Sequence, residues 1–158
     1  MNGTTPHPGS SIVYGRPSTK ALTLLALKRV FYRACKLLGL FALARRLTRR
    51  SLRIITYHGF AIADECLFSP RTFIRPETFE ARMELLARKK FPVLDLGEAL
   101  GRLEKGDLPP CAVVITIDDG FYGTYAAAFP VLARRTFPAT VYVTTYYAKK
   151  EDPVFGLA

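Results

Sequence analysis

Two adjacent carboxylates, Asp118 and Asp119, follow directly on an apolar run and precede a glycine. Like charges at neighbouring positions repel each other, and a bound cation would relieve that repulsion. One carboxylate can then ligate the metal while the other accepts a proton from water. The tripeptide Asp-Asp-Gly is also common turn chemistry that caps a following helix. The pair therefore indicates either a metal-assisted hydrolytic site or a plain turn.

The element that must position this pair is the run Ala-Val-Val-Ile-Thr-Ile at residues 112–117. Its apolar and β-branched residues are typical of a strand buried on both faces, as in a parallel sheet covered by helices. Gly120 allows the backbone to turn sharply after the strand. Because catalytic residues of α/β folds lie at the carboxyl ends of strands, the pair stands where chemistry is expected.

The chain from residue 51 onward alternates strand patterns with helix patterns, which predicts right-handed βαβ units and a parallel sheet or barrel. His58 follows the first expected strand, where it either lines the site or makes a structural hydrogen bond. Asp95 and Glu98 resemble a capping box, and Gly106 ends the helix that they begin. Strands are expected at 52–57, 91–94, 112–117 and 139–145, and helices at 77–90, 95–105, 122–129 and 130–135.

The charged residues are unevenly distributed along the 158-residue chain. Residues 1–63 contain 11 Lys and Arg and no Asp or Glu, whereas residues 64–158 contain 12 basic and 13 acidic residues, so the net charge of +10 arises in the first part. Residues 1–19, rich in Gly, Pro, Ser and Thr, predict a disordered lead. The basic run at 45–53 lacks a recognisable DNA-binding or RNA-binding module, which disfavours nucleic acid as a partner.

Residues 20–47 are predicted to form one basic amphipathic helix. Charges in the middle of this segment argue against a membrane span. The helix can lie on an anionic membrane surface or pack against its own domain with a solvated basic face. The apolar stripe comprises Leu24, Leu27, Phe31, Ala34, Leu38 and Phe41, and the basic arc comprises Lys28, Arg29, Arg33 and Lys36.

Five segments, in order, resemble the polysaccharide deacetylases, the NodB-homology domain of carbohydrate esterase family four. Residues 116–121, Thr-Ile-Asp-Asp-Gly-Phe, resemble the family's Thr-Phe-Asp-Asp-Gly motif. Residues 129–132 and 138–143 are similar to its "Pro-Ile-Leu" and "Pro-Ala-Thr-Phe-Phe-Val" stretch. Residues 54–59 resemble its opening "Leu-Tyr-His" strand, and residues 76–80 resemble the start of its first barrel helix.

The resemblance implies a partial, distorted (β/α) barrel with parallel strands, preceded by the basic amphipathic helix. Together with the composition and periodicity above, the resemblance divides the chain into a disordered lead at 1–19, the helix at 20–50 and the N-terminal part of a deacetylase domain at 51–158. The implied reaction is hydrolysis of N-acetyl groups of a polysaccharide or oligosaccharide, with a divalent metal, zinc by expectation. Asp118 would be the general base and Asp119 the metal ligand, while His58 is a candidate for substrate binding.

The chain departs from the family in its histidines. It has only His7 and His58, so the family's His-x-x-x-His metal motif is absent, and the chain is expected to be an N-terminal fragment that is inactive alone. Two alternatives stay open: a non-catalytic carbohydrate-binding pseudoenzyme module, and a basic protein that contacts a membrane surface through residues 20–53. No secretory signal is evident, which predicts a cytoplasmic location or the membrane periphery.

Overall fold

A three-stranded parallel sheet organises the later part of the chain in the computed structural model, which describes residues 19–150. Its strands β1 (Arg53–Tyr57), β4 (Val113–Ile117) and β5 (Thr140–Val141) lie in the spatial order β1-β4-β5. A second parallel sheet pairs β2 (Gly59–Phe60) with β3 (Phe73–Ile74). The predicted mixed α/β class with parallel strands is confirmed; a barrel is not, because the sheets stay open within residues 19–150.

Seven α-helices accompany these strands in the described part of the chain. A π-helical segment, Thr124–Ala128, leads directly into the sixth helix. The helices are α1 (Thr19–Leu37), α2 (Leu40–Leu47), α3 (Glu65–Phe68), α4 (Pro76–Arg88), α5 (Leu96–Lys105), α6 (Phe129–Arg134) and α7 (Thr145–Lys150). Between residues 19 and 150, no helix has both the length and the apolar character that crossing a membrane requires.

The chain divides into two compact units, with the boundary between Ala44 and Arg45. The single helix expected at 20–47, and assigned to 20–50, is wrong: the segment forms two helices, α1 and α2. Gly39 lies between them with φ of +70°, and its N–H donates to the Lys36 carbonyl at 3.2 Å. A left-handed glycine ends a helix in this way, although the apolar stripe continues past it. The lead predicted at 1–19 lies almost wholly outside the described residues.

Strand β4 is the core of the second unit, and all five of its residues are buried. It pairs in parallel with β1 from Arg53↔Val113 to Tyr57↔Ile117, and with β5 at its carboxyl end. Because both faces of β4 are covered, its sequence needs no polar alternation, as predicted from its apolar run. The buried cluster around it comprises Tyr57, Phe60, Phe79, Met83, Leu86, Val113, Ile115, Ile117, Ala128, Val131 and Leu132.

Helix α4 packs one face onto this cluster, as its sequence predicts. Pro76 occupies the first turn, where its missing N–H costs nothing. Phe79, Met83 and Leu86, spaced by four and three residues, are the buried residues of the helix. The ring of Phe79 stands edge-on to Tyr57, with ring centroids 5.0 Å apart. Such edge-to-face aromatic pairs add about 0.5–1.5 kcal/mol beyond the area that they bury.

Helix α5 has the ends that the sequence predicts. The Asp95 side chain accepts hydrogen bonds from the Gly97 and Glu98 N–H groups at 2.8 and 3.2 Å. Gly106, with φ of +72°, ends the helix. The second half of a capping box is not formed, because the Glu98 carboxylate pairs with Arg102 Nε at 2.8 Å instead.

Two predicted strands are shorter in the structure. The strand expected at 91–94 is a single parallel bridge, Val93↔Val113, since Pro92 has no N–H to extend the pairing. The strand expected at 139–145 is only β5, because α7 begins at Thr145.

Within residues 60–75, the Glu65 carboxylate accepts the Ile62 and Ala63 N–H groups at 3.0 and 2.9 Å. The hydrogen bond from the Ala63 N–H is the main cause that holds the pKa of Glu65 below its usual range.

Two glycines give opposite expectations for the same substitution. A Cβ at Gly123 would fall inside contact distance of the Phe60 carbonyl oxygen, so Gly123→Ala should destabilise the protein by about 1–3 kcal/mol. A Cβ at Gly101, inside α5, meets nothing within 4 Å. Gly101→Ala should therefore stabilise by about 0.5–1 kcal/mol through helix propensity. Chemical unfolding of both variants measures this, and a stable Gly123→Ala protein would contradict the close packing of β2 on the π-helical segment.

Candidate active site

The register of β1 and β4 places His58 and Asp118 side by side at the carboxyl edge of the sheet. Tyr57 is paired with Ile117, and the Asp118 N–H donates to the Tyr57 carbonyl at 2.9 Å. His58 Nε2 lies 3.6 Å from Asp118 Oδ2, and the two side chains are 50% and 34% exposed. This distance allows an ion pair when His58 is protonated, or a bridging water. The carboxylate is therefore held at a strand end and is open to solvent.

The backbone turns sharply after Asp118, as the glycine predicts. Asp119 and Gly120 both have φ of +67°, and the Gly120 N–H donates to the Asp118 carbonyl at 2.9 Å. A left-handed conformation costs most L-residues roughly 1–2 kcal/mol, although aspartate tolerates it better than most. Asp119 thus occupies a strained position, of the kind that clusters at functional sites.

A pair of threonines lies just before these side chains in the two strands. The hydroxyls of Thr56 and Thr116 are 2.9 Å apart, and Thr116 is the one buried polar residue of β4. The two residues are direct partners in the β1–β4 register. Neither strand alone predicts this link, because only the pairing of two distant segments brings the hydroxyls together.

A small cavity of about 210 Å³ adjoins His58. Two arginines from outside β1, Arg71 and Arg82, contribute to its lining. The Arg82 guanidinium carbon also lies 5.8 Å from the centroid of the Tyr57 ring, within range of a cation–π contact. Residues 60–75 carry no recognisable motif, so the position of Arg71 beside His58 could not be predicted from the sequence.

A larger, mainly apolar cleft of about 740 Å³ begins at Gly120 and extends along the π-helical segment, α6 and β5. Three exposed rings from Tyr122, Tyr125 and Phe129 follow one another on its wall, and the last two are stacked with an interplanar angle of 9°. Thr124 Oγ1 is buried at this wall without a hydrogen-bond partner among residues 19–150. The cleft therefore offers aromatic faces next to the aspartate turn.

The described residues do not fit a complete zinc site. In residues 19–150, no three His, Cys, Asp or Glu side chains lie close enough together to hold a metal ion. A catalytic zinc usually has three protein ligands. His58, Asp118 and Asp119 therefore stay predicted site residues, and His7 lies outside the described residues. The three cysteines Cys35, Cys66 and Cys111 are free thiols, each partly buried.

Comparison with known proteins gives structural matches alone. No family model and no curated protein matches the sequence. The deacetylase PplD of Streptococcus pyogenes, solved in complex with acetate, aligns with a TM-score of 0.58 and 22% identity over 65% of this chain and 46% of its own. A de-N-acetylase from Aggregatibacter actinomycetemcomitans aligns with a TM-score of 0.57 and 20% identity over 67% and 44%.

About two thirds of the chain shares part of the fold of these deacetylases. The resemblance predicted from the motif order is thereby confirmed at the level of the fold. The chain spans less than half the length of the two solved deacetylases that it matches. The location of the candidate site and the role of each side chain rest on the geometry above.

The left-handed turn predicts different stabilities for two substitutions at one position. Asp119→Asn should change the free energy of unfolding by less than about 0.5 kcal/mol, since asparagine also tolerates the left-handed region. Asp119→Ala should cost about 1 kcal/mol more, because alanine has no local hydrogen bond to offset the strain. Urea unfolding curves of both variants test this. Equal stabilities would show that Asp119 is not held in the left-handed conformation.

Proposed function

We propose that the carboxyl edge of β1 and β4 is part of a site that hydrolyses N-acetyl groups of a polysaccharide. The observation that carries the proposal is the pair of carboxylates at the end of the buried strand β4, within a chain that has a deacetylase fold. The solvent-open Asp118 carboxylate, the strained backbone of Asp119 and the adjoining cleft support the same reading.

In this proposal Asp118 is the general base. Its carboxylate accepts a proton from the water that attacks the amide carbonyl, and such a base typically contributes about 10² to 10⁴ in rate. His58 Nε2, 3.6 Å away, orients the carboxylate and lines the substrate side of the site. The hydrogen bond from the Asp118 N–H to β1 fixes the start of the turn, so the base is positioned by the sheet rather than by a loose loop.

Asp119 is the proposed ligand for a divalent cation, zinc by preference. The described residues supply no complete ligand set, so further ligands would come from outside residues 19–150. The proposed partner is an N-acetylated polysaccharide or oligosaccharide. The rings of Tyr122, Tyr125 and Phe129 give the cleft flat apolar faces on which a sugar ring can stack.

A second candidate function is a carbohydrate-binding module without catalysis. The observation that favours it is the incomplete ligand set in the described residues. Such a module would keep the cleft and bind oligosaccharides in the absence of metal, and its affinity would not depend on Asp118 or Asp119. A hydrolytic site would instead lose its metal or its turnover when these carboxylates are changed.

The 158-residue chain alone should bind zinc weakly and should not deacetylate N-acetylated oligosaccharides. The physical reason is the single proposed carboxylate ligand where three protein ligands are usual. Isothermal titration with zinc and release of acetate from an N-acetylglucosamine oligomer measure the two properties. Tight stoichiometric zinc, or turnover above the metal-free background, would show that the chain holds further ligands or acquires them by self-association.

The two carboxylates should separate by role in a longer chain that contains this sequence and supplies the remaining ligands. Asp119→Asn should lose metal, because it replaces an anionic ligand with a neutral amide. Asp118→Asn should keep metal but lose about 10² to 10⁴ in turnover, because an amide cannot accept the proton of the attacking water. Metal content and turnover are measured on the same preparations. A reversed pattern reassigns the roles, and two fully active variants reduce the segment to a turn.

A further inference from the structure

Helix α1 presents an apolar surface that the structure leaves exposed. Every described side chain of α1 is exposed except Cys35, which is intermediate. Leu27 and Phe31, at the centre of the predicted stripe, are 68% and 64% exposed. Helix α2 repeats the pattern with Leu40, Leu43 and Leu47, which are also exposed. Exposed apolar patches of this extent mark interaction sites in folded proteins.

The other arc of α1 is basic and carries no acidic group. At 100° per residue, Arg29, Arg33 and Lys36 fall on the arc opposite the stripe, and Lys28 lies at the edge of the stripe. The apolar side chains of Leu22, Leu25 and Tyr32 lie among these basic residues. The whole sequence up to residue 63 has no Asp or Glu, so no local carboxylate neutralises these charges. Arg45 in α2 is engaged elsewhere, with its guanidinium 5.3 Å from the centroid of Phe91.

We propose that α1 and the apolar face of α2 dock on an anionic lipid bilayer, with the helix axis in the plane of the interface. A helix with one apolar face and one Lys/Arg face buries the first at the headgroup boundary and holds the second among anionic headgroups. The 19 residues of α1 extend about 28 Å, which gives a contact several turns long. The proposal concerns a surface separate from the aspartate site and does not depend on its activity.

Charge favours a bilayer over the other possible occupants. A second copy of this chain packed on the apolar stripe would bury the leucines but would leave both basic arcs in water without an anionic partner. Nucleic acid would satisfy the basic arc but would leave the leucines and Phe31 in water. An anionic bilayer would bury the apolar stripe and pair the basic arc with anionic headgroups at the same time. Such lipid association would place the protein at the membrane periphery.

The test uses the full 158-residue chain and vesicles of phosphatidylcholine with or without phosphatidylglycerol. Co-sedimentation should show binding to the anionic vesicles that weakens as salt is raised, with far less binding to the neutral ones. The variant Arg29→Gln/Arg33→Gln should bind about 25-fold more weakly, from roughly fivefold for each basic residue near the surface. Leu27→Ser/Phe31→Ser should lower binding by roughly tenfold or more through lost apolar burial.

Matched controls lie on other helices. Arg88→Gln/Lys105→Gln removes two exposed charges, and Leu100→Ser/Leu103→Ser removes two half-exposed leucines of α5, so neither double variant should change vesicle binding. Circular dichroism confirms that each variant keeps its helices. Equal binding to neutral and anionic vesicles would overturn the proposal. So would binding that both α1 variants leave unchanged, or a chain that dimerises or binds RNA while it leaves vesicles free.

Discussion

The burial of β4 between two parallel neighbours is the constraint on which the second unit depends. Val113 to Ile117 are covered on both faces, so the strand can lie only in the middle of the sheet. Its register with β1 decides which residues reach the carboxyl edge together. Because Tyr57 is opposite Ile117, the residues that follow them, His58 and Asp118, lie side by side at the carboxyl edge. The position of His58 and Asp118 is thus a consequence of core packing rather than of any direct attraction between the two side chains.

After β4, the backbone leaves the regular strand conformation and turns sharply into the candidate site. Two successive left-handed residues, Asp119 and Gly120, redirect the chain within one step. Glycine adopts this conformation freely, whereas aspartate accepts it at some cost, and the buried strand on one side holds the turn in place. On the other side, Val143 side-chain atoms stand 3.1 Å from where a Cβ of Gly120 would lie. Packing on both sides therefore limits what this position accepts.

The sequence predicted those features that depend on local chemistry. The strand 112–117 follows from an unbroken apolar run, and the ends of α5 follow from Asp95 and Gly106, each of which acts within a turn of its own position. The features that it missed depend on distant partners or on very short elements. The two-residue strands β2 and β3 have no periodicity to detect, and the stripe of α1 continues through Gly39 although the helix does not. The contact between His58 and Asp118 depends on the register of β1 and β4, and the position of Arg71 beside His58 depends on the path of residues 60–75.

The hydroxyl pair of Thr56 and Thr116 has a consequence for how the sheet assembles. It is a polar match in a strand that is otherwise uniform and apolar, and a uniform strand discriminates poorly between alternative alignments. A slip of β1 by one residue would move Thr56 away from its partner and leave a buried hydroxyl unsatisfied, at about 1–3 kcal/mol. The same slip would displace His58 by about 3.3 Å along the strand. The threonine pair therefore favours one alignment of the two strands. The same alignment brings His58 and Asp118 together at the carboxyl edge of the sheet.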